Sequence, residues 1–317
     1  MSKVPTVKLN NGVEMPVLGL GTYKSQPNAV TKAVEDAIDA GYRHFDCAFF
    51  YDNEKEVGDG IQTKIKEGVV QRKDLFICSK LWNNTHSQQS VVPACRKSLE
   101  LLQTDYLDLY LVHWPVGFKE GDELTPKTED GKVATSDIDY IETWRGMEEC
   151  ARLGLARAIG VSNFNHEQLE RILSVAEIKP TVNQVECNPN INQKKLIQYC
   201  KEHDIVVTAY CPLGKAAEAR TKPGAPVASM EEPGVIEIAA KYKKTPAQVV
   251  LRYLIQHGVV VIPKSITKSR IIENIDCFDF TLDQKEMDYF DTLNKNIRLA
   301  TFKDCKDHKY FPFNLEY

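Results

Sequence analysis

"GLGTYK", residues 19–24, is the stretch on which the choice of fold turns. It closes an apolar run with the glycine–x–glycine that opens a dinucleotide-binding doubly wound sheet, where a third glycine follows and a helix begins at once. Here Lys24 stands in the third glycine's place, and Ser25, Gln26, Pro27 and Asn28 precede any helical pattern. The fingerprint fails. What remains is a short strand whose end needs another explanation.

Working outward, the chain repeats one theme. Short β-branched runs stand at 17–22 (VLGLGT), 44–48 (HFDCA), 75–81 (LFICSKL), 107–114 (LDLYLVHW), 156–163 (ARAIGVSN), 181–188 (TVNQVECN), 206–213 (VVTAYCPL) and 259–265 (VVVIPKS). Helical patterns lie between them. "AVTKAVEDAIDAG" stops at Gly41, while "HSQQSVVPACRKSLELL" and "DYIETWRGMEECARLG" keep their apolar groups on one face. Asn165 with Gln168 has capping-box spacing, and "TPAQVVLRYLIQHG" repeats it with Thr245, Pro246 and Gln248 before closing on Gly258.

Buried strands alternating with helices indicate a parallel sheet covered by helices. Eight such units close into an α/β (β/α)8 TIM barrel, which needs about 250 residues before insertions. One domain over residues 1–317 is therefore expected, preceded by a β-hairpin at 7–16 ("VKLNNGVEMP") turning at Asn11-Gly12. Long loops at 116–137, at 214–232 and in the tail from Arg298 are expected to rim the barrel's C-terminal face, where barrel active sites lie.

Bulk properties narrow the function. With 26% charged residues, a net charge of −4 and no basic run, no nucleic-acid or membrane partner is indicated. The start "MSKVPTVKLNNGVEMP" has no apolar leader, and no window approaches the roughly 18 apolar residues of a span. Nine cysteines without a C-x-x-C pair, several inside apolar runs (Cys47, Cys78, Cys187, Cys211), read as buried small hydrophobes in a reducing compartment. Seven histidines without H-x-x-x-H spacing support no metal site. A cytoplasmic monomer with a small-molecule substrate is expected.

If the strands form a barrel, their C-terminal ends gather on one rim. Those ends carry Asp46 with Tyr51 beyond it, Lys80 and Trp82, His113 and Trp114, Ser162 and Asn163, then Asn183, Gln184 and Glu186. "AYCPLGK" and "IPKS" complete the set. Any one alone is as well explained as a cap, a surface pair or a core hydrogen bond. Together, Asp46, Tyr51, Lys80 and His113 offer a carboxylate, a phenol, an ammonium and an imidazole, which make a proton-transfer site. A phenol with a pKa of about 10 is a poor acid at pH 7. An ammonium about 4 Å away favours the phenolate by about 4 kcal/mol at an effective dielectric near 20, enough to bring proton transfer into the neutral range. Asp46 would hold Lys80 charged, and a neutral His113 would orient a carbonyl oxygen or share the proton. Such a group quenches an alkoxide as it forms, which suits carbonyl reduction and calls for a hydride donor.

The motifs "GYRHFDCAFFYDNEKEVG" (41–58), "SKLWN" (79–83), "DLYLVHWP" (108–115), "GLARAIGVSNFN" (154–165), "NQVECNP" (183–189), "TAYCPLG" (208–214) and "IPKSITKSRIIEN" (262–274) resemble, in order and over essentially the whole chain, the aldo-keto reductase superfamily. The aldose and aldehyde reductase branch is the nearest match. The resemblance implies a (β/α)8 barrel that binds NADPH at its C-terminal rim, with Asp46, Tyr51, Lys80 and His113 as a catalytic tetrad and Tyr51 as proton donor. It implies Ser162, Asn163 and Gln184 on the nicotinamide carboxamide, Tyr210 stacked on its ring, and Cys211, Pro212, Leu213, Gly214 and Lys215 over the pyrophosphate. Gly21, Thr22 and Tyr23 would line the cofactor, as would Pro263, Ile266 and Thr267. Lys264, Ser265 and Arg270 would take the 2′-phosphate, and Glu273 and Asn274 the adenine. The 2′-phosphate site has a physical rationale of its own, since Lys264, Lys268 and Arg270 surround a helix start after the eighth strand.

The substrate pocket would be lined by Tyr23, Tyr51, Trp82, His113, Trp114, Thr125, Ala300 and Phe302. Tyr23, Thr125 and Arg220 replace tryptophans or other aromatics usual in the branch. That implies a roomier, less apolar pocket for bulky ketones, steroids included, such as the 3-dehydroecdysone reduced by some arthropod members. Two alternatives stand beside the reductase: a non-catalytic NADPH-binding accessory or lens-type protein, and a barrel isomerase or lyase without nicotinamide binding.

Overall fold

The computed structural model describes residues 4–214 and 228–317. Two short strands, β1 (Thr6–Lys8) and β2 (Glu14–Pro16), pair antiparallel at the N-terminus. The hairpin is there, but its turn differs from the Asn11-Gly12 expectation. Gly12 N–H closes back on Leu9 O at 2.9 Å, so Asn10 and Asn11 are the central residues and Gly12, at φ 88°, is the bulge that follows. The extra residue restores the strand twist that a plain type I turn would spoil.

Eight parallel strands follow in chain order, each beside the next: β3 (Leu20–Gly21), β4 (His44–Asp46), β5 (Phe76–Leu81), β6 (Leu109–Val112), β7 (Ile159–Ser162), β8 (Val182–Glu186), β9 (Val206–Tyr210) and β10 (Val260–Val261). The ring closes between first and last, with Gly19 N–H on Val261 O at 2.9 Å, Val261 N–H on Val17 O at 3.0 Å and Gly21 N–H on Pro263 O at 3.2 Å. The expected barrel is formed, and all eight runs supply its staves.

Helices α1 (Pro27–Asp39), α2 (Glu54–Lys66), α3 (Gln88–Leu102), α4 (Tyr140–Arg152), α5 (His166–Leu173), α6 (Lys194–Glu202), α7 (Pro233–Tyr242), α8 (Pro246–Gln256), α9 (Lys268–Ile275) and α10 (Gln284–Thr292) complete the described framework. The capping boxes read from sequence are made: Asn165 with Gln168 opens α5, and Thr245 with Gln248 opens α8. Gly41 and Gly258 follow their helices at φ 101° and 78°, a conformation that costs glycine nothing.

Strand periodicity of two divides the core into two shells. Ile77, Leu81, Tyr110, Val112, Ile159, Val161, Val207 and Val261 face outward to the helices. Phe76, Cys78, Leu109, Leu111, Ala158, Val182 and Val260 face inward, packed with Leu9 and Met15 of the hairpin, which closes the barrel floor. Continuing the inward parity upward gives Asp46, Lys80, His113, Ser162, Gln184, Glu186 and Tyr210. The polar layer of the rim is thus the top storey of the same alternation that fills the floor with hydrocarbon. Cys47, Cys78 and Cys187 are buried as expected, whereas Cys211 is only half-buried at the rim.

Glu54, in the first turn of α2, is buried between helix and sheet and accepts the Ser79 hydroxyl. Burial pushes its carboxyl from 4.5 up to about 7, with the Ser79 and Ser98 hydroxyls and the Lys80 charge pulling it part-way back. A proton retained by the folded chain but already shed by the unfolded one makes stability fall as pH rises from about 4.5 to 7, by on the order of 3 kcal/mol. Glu54→Gln is therefore expected to raise the thermal midpoint above wild type at pH 8 and to give little gain at pH 5. Equal displacement at both pH values would rule this account out.

Candidate active site

Lys80 is fully buried, and its ammonium makes three hydrogen bonds: to Asp46 Oδ1 at 2.6 Å, Cys47 O at 2.8 Å and Tyr51 Oη at 3.2 Å. An ammonium has three protons, so each is committed and the charge is fixed in place. Asp46 Oδ2 accepts Gln184 Nε2 at 2.7 Å, which ties β4 to the far side of the barrel. Tyr51 ends a single 3-10 turn, Phe49–Tyr51, after which Asp52 at φ 53° redirects the chain into α2. His113 directly follows β6, anchored by its N–H on Leu81 O at 3.1 Å, and meets the Tyr51 ring edge-on with centroids 5.8 Å apart. The four residues picked from sequence are therefore neighbours at one end of the barrel.

The electrostatics correct one expectation. Burial alone would pull the Lys80 ammonium down, but Asp46 and the groups around it hold it above its ordinary value. Burial, followed by the Lys80 charge, drives His113 well below the ordinary imidazole range, so it is neutral as anticipated. Tyr51 is not acidified. Burial raises its phenol above the ordinary value; Lys80 opposes this, and Asp46 adds to it. Because the lysine charge comes paired with a carboxylate, the phenol sees a dipole instead of a bare cation. Tyr51 consequently keeps its proton throughout the neutral range, while Lys80 stands ready to stabilise the oxygen once that proton leaves.

Around this cluster the rim offers amides and hydroxyls. Asn163 lies at φ 64°, uncommon for a residue with a side chain. Its amide donates to His113 O at 2.9 Å and Ser162 Oγ at 3.1 Å, and its oxygen accepts the Tyr210 hydroxyl at 2.7 Å. Ser162 donates to Gln184 O at 2.8 Å. Cys211 at φ 48° and Gly214 at φ 65° turn the chain through Pro212 and Leu213; Lys215, Arg220 and most of the loop 214–232 lie outside the described residues. Gly21 admits no side chain, since a Cβ there would stand 2.8 Å from Ile262 O. Thr22 donates to Asp46 O at 2.9 Å, and exposed Tyr23 lies 5.0 Å, ring to ring, from Tyr51.

Beyond Pro263, Lys264 and Arg270 are exposed beside the start of α9, with Ile266 also outward. Ser265 Oγ accepts Thr267 N–H at 3.1 Å and shapes the helix entry. Lys268 is drawn away into an ion pair with Asp36 at 3.1 Å. Glu273 receives the Thr245 hydroxyl at 2.8 Å, so one of its oxygens serves the cap of α8, and Asn274 is buried. A carboxamide-matching set at one end and exposed cations by a helix start at the other fit a phosphorylated nicotinamide dinucleotide.

The aromatic wall departs from the sequence reading. Phe50 stacks on Trp82 at 3.7 Å, Phe302 at φ 48° stacks on Trp114 at 4.1 Å, and Phe313 meets Trp114 edge-on at 5.8 Å. Thr125 is exposed; its neighbour Leu124 packs on the wall, its carbonyl accepting Trp82 Nε1 at 2.6 Å. Ala300 is half-buried in the same tail. The wall is more uniformly apolar than the substitutions suggested, because Phe50 and Phe313 contribute rings that were not assigned a place there. Phe50 was open to inference from its position beside Tyr51; Phe313, far along the tail, left no such signal.

The model of the Aldo/keto reductase family matches residues 17–295. The chain belongs to that family. Aldo-keto reductase family 1 member A1 of Gallus gallus is 50% identical to this reductase, over 92% of the chain and 89% of the relative. Prostaglandin F synthase 1 of Bos taurus is 46% identical over 99% of each. Among solved structures, the aldose reductase of Schistosoma japonicum superposes with a TM-score of 0.93 at 41% identity, covering 98% of this chain and 99% of that one. A Bombyx mori aldo-keto reductase in complex with NADP gives 0.91 at 42%, covering 98% and 100%.

Proposed function

We propose that this aldo-keto reductase reduces aldehydes and ketones to alcohols with NADPH, using Tyr51 as the proton donor. The supporting observation is the Lys80 ammonium 3.2 Å from the Tyr51 hydroxyl, with neutral His113 beside it. NADPH supplies the hydride when bound. The protein's part is to present a proton where negative charge develops. Tyr51 gives its proton to the carbonyl oxygen, and Lys80, held by Asp46, stabilises the tyrosinate that remains. His113, uncharged, orients the carbonyl oxygen without competing as an acid. Ser162, Asn163 and Gln184 are assigned to the carboxamide, Tyr210 to the ring face, and Lys264 and Arg270 to the 2′-phosphate.

A panel of NADPH and NADH against small aldehydes, aromatic aldehydes and steroid ketones tests the reading. Absence of NADPH oxidation with every carbonyl would favour a non-catalytic role. The double variant Lys264→Ala/Arg270→Ala is expected to raise the KM for NADPH about 10- to 100-fold, the scale of losing charged hydrogen bonds, and to leave NADH nearly unchanged. For substrate we favour bulky apolar carbonyls, which suit the Trp82, Trp114, Phe302 and Phe50 wall. We include bulky steroid ketones such as 3-dehydroecdysone because exposed Tyr23 leaves the rim open beside Tyr51. Good turnover of small aldehydes with none of steroid ketones would remove the steroid assignment.

A further inference from the structure

Glu186 is the last inward residue of β8, two positions after Gln184 and directly across from Tyr210 in the β8/β9 register. It is fully buried, yet it contributes to none of the proton-transfer steps above. Its carboxylate points at the tail. Leu299 N–H reaches both oxygens, at 2.9 and 3.0 Å, and Ala300 N–H reaches Oε2 at 2.8 Å. Backbone donors on an ionised acceptor form hydrogen bonds roughly twice as strong as neutral ones. Next to these donors, Arg298 lies over the Phe313 ring at 3.8 Å, and its guanidinium is under the influence of both Glu186 and Tyr210. Two residues beyond Ala300, Phe302 takes its left-handed conformation and stacks on Trp114.

We propose that Glu186 is a positioning residue that sets which carbonyls the enzyme accepts, by docking residues 299–300 and so placing Phe302 against Trp114. This rests on the carbonyl-reductase reading given above. The strand that carries Gln184 toward the cofactor region therefore also holds the substrate-facing tail, more than a hundred residues away in sequence. A carboxylate suits the task because both its oxygens only accept: Oε2 takes Leu299 N–H and Ala300 N–H, and Oε1 takes Leu299 N–H as well. A glutamine puts an NH2 in one of those places, so at least one of these contacts becomes donor against donor.

The test is Glu186→Gln in the full chain. We expect the KM for a bulky aromatic ketone to rise about 10- to 100-fold, the scale of losing a charged hydrogen bond. The kcat for a small aliphatic aldehyde and the Kd for NADPH, read by fluorescence quenching, should stay within about twofold. Trypsin should cut faster at Lys303, which is exposed just beyond the docked segment. In a double-mutant cycle with Phe302→Ala, the KM effects should be strongly non-additive, since both changes remove the same wall. Additive effects, or equal KM changes for large and small carbonyls, overturn the proposal. If wild type turns over no carbonyl at all, the failure belongs to the reductase reading instead. Should Glu186→Gln not fold, Glu186→Asp keeps the acid group but withdraws it from Leu299 and Ala300, and is read out in the same way.

Discussion

Tyr51→Phe is expected to lower kcat by on the order of 10² to 10⁴-fold, the range general acid catalysis contributes, with the Kd for NADPH unchanged. Phenylalanine keeps the ring 5.0 Å from Tyr23 and 5.8 Å from His113, so ring packing survives; what is lost is the proton, together with the oxygen that accepts Lys80 Nζ at 3.2 Å. Because Tyr51 sits above the ordinary phenol value, the wild-type rate of reduction should hold level through the neutral range and fall only in base, as the donor loses its proton. Rate profiles of both proteins from pH 6 to 10 check this. A variant with wild-type kcat would show that the proton comes from elsewhere.

Lys80→Met should be costly to both stability and activity. Lys80 and Asp46 are buried together, with 0% and 2% of their side chains exposed, and methionine would leave the Asp46 carboxylate facing a gap where its ion pair was. Removing one partner of a buried pair typically destabilises by about 3 to 5 kcal/mol, because the remaining charge is uncompensated. Asp46→Asn in the same chain removes that charge and should restore most of the lost stability, while activity stays absent because no cation faces Tyr51. Denaturant melts of the single and double variants beside their turnover measure the two effects separately. Recovery of activity together with stability would mean that Lys80 acts as a scaffold alone.

Much of this was legible in the sequence because it rests on period and parity. Eight apolar runs with helix stops between them gave the staves. Asp46, Lys80, His113 and Gln184 each take an inward position near the C-terminal end of a run, and so converge. Local chemistry carried the caps at Asn165 and Thr245. What stayed hidden depends on three-dimensional distance. The loop 116–137 has no period, so nothing distinguished Thr125 from Leu124 as the wall residue. The sequence showed a cation near a phenol but not the burial that outweighs it, nor that Lys80's charge would arrive already paired. Glu186 was visible at its strand end, but its partners lie at Leu299 and Ala300, and no local pattern announces a contact across that separation.

The hairpin at the barrel floor has an electrostatic consequence. Leu9 and Met15 join Phe76, Leu109, Leu111 and Val182 in a slab of hydrocarbon directly under the charged layer. Even the imidazole within that lower half, His44, is held uncharged, burial having pushed it down to about 4. A slab so weakly polarisable cannot screen what lies above it, and field lines are focused toward the more responsive side. The potential set by Lys80 and its neighbours is thus directed out through the open mouth, toward any reacting oxygen, instead of being dissipated downward into the molecule.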